Sequence, residues 1–357
     1  MPLPKKISDR QTTSPYKVFG AIALLVPLLL NISVSIGIES GDLLSALPDL
    51  ILPTRATKTT NQSFCEALPV SSGPQGRKFV HVFVSNAGHF PFLHNVLLSM
   101  VNASLSWRPV VFAVGAGVCH MLRDLAEVKL KDYTVCYPYL GRLLYQLRRD
   151  EPKSFEQIQP FLAKSNTTFL NDTIEETIAR FDEVDSTFYG WGSTEHKFLI
   201  NSKLYALRDI LECGFDAFVT DTDIGFISDP LPYFDIDGPK GHVIAQTAPA
   251  SGYSMNINSG FMYWRSTNDT IDLIRDIITV PPFWHIDQSR VNDRIQNRST
   301  PYSLLDSYKF PQGNRIIGRY EKGVDTLADA VVAHANWNSK FGEKEAMLRK
   351  MGLWFLD

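Results

Sequence analysis

Phe215-Asp216-Ala217-Phe218-Val219-Thr220-Asp221-Thr222-Asp223 reads as a short apolar strand that ends in two carboxylates, one residue apart. Side chains alternate along a strand, so Asp221 and Asp223 project to the same side and converge just beyond a sheet. Two hard oxygen donors there suit Mg²⁺ or Mn²⁺, ions that reach proteins through a few carboxylates plus substrate phosphates. Ser228-Asp229-Pro230-Leu231-Pro232 follows at once. Its Asp229 is read as a turn residue rather than a ligand.

Working outward, residues 197–211 carry apolar side chains at helical spacing and Gly214 closes that helix just before the strand. Upstream, strand-like runs at 79–85, 110–114 and 133–137 alternate with helical patterns at 92–101 and 119–130. Downstream, 242–247, 260–264 and 331–334 read as strands, and 269–278, 287–295 and 342–351 as helices. The upstream alternation argues for an α/β fold with a parallel sheet flanked by helices. Residues 140–189 are poorly patterned apart from a helical stretch at 174–181, and no internal repeat is present.

Ligands in open α/β sheets bind beyond the carboxyl ends of the strands. Asn86, in the loop after the first strand, is therefore a candidate nucleotide contact, or else part of a plain polar turn. His334 ends the short apolar strand Val331-Val332-Ala333-His334. It is the candidate third metal ligand, with a hydrogen-bonded buried histidine as the alternative. Gly260 would admit a close backbone approach to a ligand, and Asn258 would bond sugar hydroxyls, unless Asn256-Ile257-Asn258-Ser259-Gly260 is only a turn into a strand. Lys203 is placed to reach a phosphate or to lie solvated on a helix. Asp287 and Gln288 open a helix: Asp287 either caps it or, with Gln288, faces a sugar and stabilises positive charge at its anomeric carbon.

The chain has 357 residues, 44% of them apolar and 20% charged, with a formal net charge of -3. That is an ordinary globular core. No basic stretch interleaved with aromatics appears, which argues against nucleic acid as a partner. The uncharged run at 18–38 is long enough to cross a bilayer. Lys5, Lys6, Arg10 and Lys17 precede it, and Glu39, Asp42 and Asp49 follow. This asymmetry predicts a cytoplasmic tail over 1–17, a membrane anchor over 18–38 and translocation of the rest; a cleaved signal peptide is the alternative. Residues 39–78, rich in Ser, Thr, Pro and Gly, are read as a stem, and 79–357 as the folded domain. Asn-x-Ser/Thr sequences at Asn61, Asn102, Asn166, Asn171, Asn268 and Asn297 permit glycosylation. Cys65, Cys119, Cys136 and Cys213 are compatible with two disulfides in an oxidising compartment, or with four buried thiols.

Taken in order, Lys203 to Asp216, Asp221-Thr222-Asp223, Asp229-Pro230-Leu231-Pro232, Asn258-Ser259-Gly260-Phe261-Met262-Tyr263-Trp264-Arg265, Asp287-Gln288, His334-Ala335-Asn336-Trp337 and Gly352-Leu353-Trp354 resemble the nucleotide-diphospho-sugar transferase family. That family includes plant cell-wall xylosyl- and arabinosyltransferases. The resemblance implies a GT-A fold (a Rossmann-type mixed sheet flanked by helices) behind an N-terminal transmembrane helix. It implies a nucleotide-diphosphate sugar as donor, a glycan or glycoprotein as acceptor, and Mn²⁺ or Mg²⁺ as cofactor. Single-pass type II placement in the Golgi membrane, with the catalytic domain lumenal, and retention of anomeric configuration are implied as well. By that likeness Asp221 faces donor ribose and metal, Asp223 ligates the metal directly, and His334 completes the site.

Two other classes compete. Haloacid-dehalogenase-type phosphatases also place Asp-x-Asp at a strand end and use the first Asp as nucleophile, and Asp325 and Asp329 offer a later carboxylate pair. That reading leaves residues 79–137 without a role. A membrane-anchored glycan-binding protein with a decayed transferase fold is the other, against which the retained Asp221, Asp223 and His334 argue.

Overall fold

The computed structural model describes residues 56–125, 128–150, 152–153, 155–156, 188–189, 192–236, 238–248, 257–279, 285–298, 300–320, 322–323 and 326–357. The tail and anchor at 1–38, the helix expected at 174–181, Asn166, Asn171, Asn256 and Asp325 lie outside these residues. Among the described residues no helix is long and apolar enough to cross a membrane. The chain divides into two compact units, 1–66 and 67–357. In the first, the stretch read as a stem contains helix α1 (Ala56–Ala67). Its Gln62 donates to Glu66 one turn on, at 3.0 Å, a local pairing that composition alone does not reveal.

The second unit is built on an eight-stranded sheet. Strands β2 (Lys78–Ser85), β3 (Pro109–Ala113), β4 (Val135–Pro138) and β5 (Asp216–Thr220) run parallel, with β3 and β5 on either side of β2. A two-residue strand, β1 (Ser71–Ser72), pairs antiparallel with the start of β2. Helices α2 (Phe90–Asn102), α3 (Ala116–Asp124), α4 (Val128–Tyr133), α5 (Leu140–Asp150) and α6 (Thr194–Glu212) occupy the connections. One helix was expected over 119–130; Leu125 at ψ 137° turns out of helical geometry and separates α3 from α4. Helix α5 lies in the stretch that looked unpatterned, its buried side of Leu140, Leu143, Leu144 and Leu147 interrupted by Gln146.

Beyond β5 the sheet is mixed rather than parallel. β8 (Ile257–Trp264) pairs antiparallel with β5 and with β7 (Val243–Thr247), and β9 (Tyr302–Leu304) joins β7 in parallel, giving the order β4-β3-β2-β5-β8-β7-β9. A second sheet pairs β6 (Ile224–Phe226) antiparallel with β10 (Val332–His334). Helices α7 (Asn268–Ile278), α8 (Asp287–Arg298), α9 (Gly313–Tyr320) and α10 (Phe341–Lys350) complete the described elements. The Cys119–Cys136 disulfide ties α3 to β4, and no free cysteine remains.

The strand that ends at the aspartates is anchored at both ends. At its start the Asp216 carboxylate receives Arg77 Nε at 2.7 Å, Tyr263 Oη at 2.9 Å and the Ser266 amide at 2.8 Å. Its middle is aromatic: Phe218 stacks on His81 of β2 and meets Phe234 and Phe261 edge-on at 5.1 Å. Gly214, at φ 81°, supplies the left-handed turn from α6 into β5 that other residues adopt only under strain.

His81 is fully buried in this aromatic cluster. Trp107 Nε1 can only donate, and it donates to His81 Nδ1 at 3.1 Å; the ring proton therefore sits on Nε2 and goes to Thr220 Oγ1 at 2.8 Å. Burial holds this imidazole well below its ordinary 6.5. The unfolded chain thus binds a proton that the folded chain refuses. The stabilisation is complete above the unfolded pKa of about 6.5 and is lost as pH falls below it, at up to about 1.4 kcal/mol per pH unit per group. Denaturant melts between pH 7.5 and 5 are expected to show declining stability, and a flat profile would contradict a neutral buried His81.

Candidate active site

Three backbone features bring the acidic pair to a histidine that follows 111 residues later. The Asp221 amide continues the β5–β8 ladder by donating to Gly260 O at 2.8 Å. The chain then bends through 221–223 into β6, whose Ile224 is the cross-strand partner of His334. The Ala335 amide donates to Asp223 O at 2.9 Å and closes the arrangement. One ligand atom from each of Asp221, Asp223 and His334 lies within 4.8 Å of the others. His334 Nε2 stands 3.2 Å from Asp223 Oδ1 and 3.8 Å from Asp221 Oδ2. The two carboxylates thus converge as their spacing predicts, although they flank a bend rather than extend a strand.

The histidine is locked from behind. Gln246 Nε2 donates to Phe310 O at 2.9 Å and Pro311 O at 3.2 Å, which turns Gln246 Oε1 toward His334 Nδ1 at 2.9 Å. Assigned from this network, Nδ1 carries a proton and Nε2 is the nitrogen that faces the carboxylates. A hydrogen bond to the outer nitrogen is how proteins orient metal-ligating histidines. Asn258 is the strand partner of Gln246 and donates to the same Oε1 at 3.0 Å. The β7–β8 register is irregular here, with Ala245 opposite Met262 and Gln246 opposite Asn258. Such irregularities re-aim side chains beside functional sites.

Gly260 has its own steric reason. A Cβ at this position would lie 2.4 Å from Asp221 Oδ2 and 2.5 Å from His334 Cε1. The glycine makes room for two of the three candidate ligands.

Two ammonium groups, one buried and one half-buried, balance the acids. Lys203, on α6, is far from the solvated helix face that was its alternative: its Nζ lies 2.5 Å from Asp221 Oδ1, 3.0 Å from Asp287 Oδ2 and 3.3 Å from Ser259 O. Burial opposes its charge, but Asp221 and Asp287 outweigh that and raise its pKa. Lys344, on α10, places Nζ 2.6 Å from Asp223 Oδ2. Burial pushes the Asp223 carboxyl up, whereas Lys344 and His334 together hold it well below the usual carboxylate range.

Two cavities meet at these charges. One, of about 370 Å³, is walled by Asp221, Asp223, His334, Asp287, Gln288 and Trp337. The other extends from Asp221 and Lys344 to Val84, His89, Phe92 and Phe188 at the carboxyl end of β2. His196 and Lys203 line both. Burial, reinforced by Lys344 and His196, lowers His89 to about 3, and burial also lowers His196. Both present neutral imidazoles at neutral pH.

Asp221, Asp223, His334, Lys203, Gly260, Asp287 and Gln288 are therefore gathered around one centre. Two candidates act differently from expectation. Asn258 lies within β8, not in a loop, and its side chain is spent internally: Oδ1 accepts the Gly260 amide at 2.8 Å and Nδ2 bonds Gln246. Asn86 is fully buried, caps the turn after β2 by accepting the His89 amide at 3.2 Å, and lines neither cavity. Asp229 is the turn residue expected, accepting the Leu231 amide at 2.8 Å. His89, at the end of the Asn86-Ala87-Gly88-His89 loop singled out from the sequence, does line a cavity; sequence reasoning missed Lys344, His196 and Gln246, of which only Gln246, a polar residue closing the apolar run Val243-Ile244-Ala245, carried a local signal.

A mixed α/β fold that delivers two aspartates, a histidine and two lysines to one cavity has the equipment to hold a cation and an anionic phosphate group together. The sequence profile described as nucleotide-diphospho-sugar transferase matches residues 168–348, just over half of the 357 residues. The chain belongs to that family, and it is a glycosyltransferase. Among solved structures it is similar to the galactosyltransferase LgtC in complex with donor and acceptor sugar analogs, at 13% identity over 78% of this chain and 97% of that one, with a TM-score of 0.42. It is also similar to the glycosyltransferase GlyE of Streptococcus pneumoniae TIGR4, at 11% identity over 78% of this chain and 61% of that one, with a TM-score of 0.42. Mouse xyloside xylosyltransferase 1 matches at 11% identity over 74% and 99% of the respective chains, with a TM-score of 0.43. No curated protein sequence matches the chain.

Gly260→Ala tests the crowding directly. The added methyl must displace Asp221 or His334, and disturbance of ligand positioning typically costs about 10–100-fold in metal affinity. Calorimetric titration with Mn²⁺ is expected to show that loss, and unchanged affinity would mean that these side chains are not the ligands.

Proposed function

We propose that this chain transfers a sugar from a nucleotide-diphosphate donor to a glycan or glycoprotein acceptor in a metal-dependent reaction on a GT-A fold. The observation that carries the reading is the convergence of Asp221, Asp223 and His334. The donor set fits Mn²⁺ or Mg²⁺: two carboxylates, one imidazole oriented by Gln246, and a glycine where a side chain would collide with the ligands. A bound divalent cation supplies Lewis-acid stabilisation of the departing diphosphate.

The chain's own residues divide the remaining tasks. Lys203 and Lys344 hold positive charge beside the two aspartates, where ammonium groups would neutralise donor phosphates. Asp287, buried and 3.0 Å from Lys203, is placed to stabilise positive charge as it develops at the anomeric carbon, with the Gln288 amide beside it in the cavity wall. Retention of configuration is the outcome the family likeness implies, and no residue is assigned as nucleophile. The phosphatase alternative is disfavoured because four described strands precede the one leading to the aspartates, which are held by a histidine and two lysines, leaving neither free to attack.

The compartment reading belongs to the same proposal. An anchor at 18–38 would hold the catalytic domain on the lumenal side of the Golgi membrane; the flanking charges support it, and the Cys119–Cys136 disulfide suits an oxidising compartment.

Full-length protein in detergent, offered a panel of nucleotide sugars, is expected to release nucleoside diphosphate only with Mn²⁺ or Mg²⁺ present. Loss of a residue that merely supports a ligand costs about 10–100-fold, so Asp223→Ala is expected to lose more than about 100-fold in activity while remaining folded by circular dichroism. Activity of Asp223→Ala, or release that ignores chelation, would overturn the metal-dependent reading. Phosphate release from phosphomonoesters would favour the phosphatase.

A further inference from the structure

Resting on the transferase reading, we propose that Trp337 is the platform on which a pyranose ring of the acceptor glycan stacks at the mouth of the catalytic cavity. Among the described residues, the exposed large apolar side chains are Val70, Met121, Tyr145, Tyr308 and Trp337. Of these, only Trp337 lines either cavity of the site. It is 55% exposed three residues after His334, a cost in hydration that folding alone does not require.

Its backbone is also strained. Trp337 sits at φ 71°, a left-handed conformation that is an outlier for a bulky side chain. Strain of this kind persists only where the surroundings enforce it, and it concentrates at functional sites. Here the enforcement is visible. Asn336 Oδ1 accepts the Gly313 amide at 2.8 Å, and a Cβ on Gly313 would meet Asn336 O at 1.8 Å, so two backbones are pressed together. Asn336 Nδ2 and Trp337 Nε1 both donate to Gln312 Oε1, at 3.0 and 3.3 Å. Gln312 itself is buried and bridges to His334. The polar edge of the indole is thus bound to Gln312, the backbone partner of the metal-site histidine, and its exposed remainder is held at the cavity.

Position selects the occupant. Trp337 borders the cavity that contains Asp287 and Gln288, not the one that runs to the end of β2. A donor sugar must lie deep, against the buried Asp287; an acceptor arrives from solvent over the outer wall. That wall offers an aromatic surface for the C–H face of a sugar ring and the polar side chains of Asn338 and Ser339 for its hydroxyls.

The test is saturation-transfer-difference NMR on full-length protein in detergent, with Mg²⁺, uridine or guanosine diphosphate, and methyl pyranosides as acceptor probes. Wild type and Trp337→Phe are expected to saturate the ring protons of at least one pyranoside. Trp337→Ala and Trp337→Gly are expected to weaken that binding about tenfold, the scale of one lost ring contact, while nucleotide affinity stays within about twofold. Glycine accepts the positive φ without strain, so Trp337→Gly should melt no earlier than Trp337→Ala, which separates lost stacking from lost folding. Equal saturation of a pyranoside in Trp337→Ala overturns the proposal, as does a wild type that binds nucleotide but no pyranoside. Loss of nucleotide affinity in Trp337→Ala overturns it in favour of a nucleobase platform. Failure of wild type to bind either nucleotide overturns the transferase reading and this inference together.

Discussion

Asp221 and Asp223 repel each other, and the structure around them is arranged to hold them in place. At about 4 Å and an effective dielectric constant near 20, two like charges cost on the order of 4 kcal/mol. Asp287, on the far side of Lys203, adds a third negative charge. Lys203 and Lys344 return interactions of the same size and opposite sign, one to each aspartate. The buried member of each pair, Lys203 in one and Asp223 in the other, depends on its partner, because without it a buried charge would stay uncompensated. The three converging groups could hold a cation at the centre.

The groups that hold the aspartates come from elements distant in the chain. Lys203 is carried by α6, Gly260 and Asn258 by β8, Gln246 by β7, His334 by β10 and Lys344 by α10. Antiparallel insertion of β8 between β5 and β7 is what allows this. It sets Gly260 beside Asp221, and its irregular register sets Asn258 opposite Gln246, so that both serve His334. The short pairing of β6 with β10 then fixes the histidine across from the residue after Asp223. Chemistry at the site and topology of the sheet are consequently one problem with one solution.

Much of this was legible in the sequence wherever the signal was local. The apolar run into Asp221-Thr222-Asp223 gave both the strand and the convergence, and His334 stood out as a polar residue ending a short apolar strand. Gly260 stood out as a glycine that admits close approach, but the side chains it makes room for, Asp221 and His334, are distant in sequence and could not be read from it. Asn258 and Asn86 looked like polar loop residues, yet both are buried and bonded within the protein, a fate set by tertiary packing. Lys344 could not be singled out from Lys340 and Lys350 on the same stretch; only the docking of α10 brings it to Asp223, 121 residues away. The mixed sheet followed from the family resemblance and not from the alternation of elements, which pointed to a parallel sheet, since strand direction depends on partners.

Whether His334 and the two aspartates form one metal centre is read directly by pulsed electron paramagnetic resonance of the Mn²⁺-loaded protein. One tightly bound Mn²⁺ is expected, with ¹⁴N coupling from a directly ligated imidazole that is lost in His334→Ala. Mn²⁺ bound without nitrogen coupling, or coupling that survives His334→Ala, would contradict it.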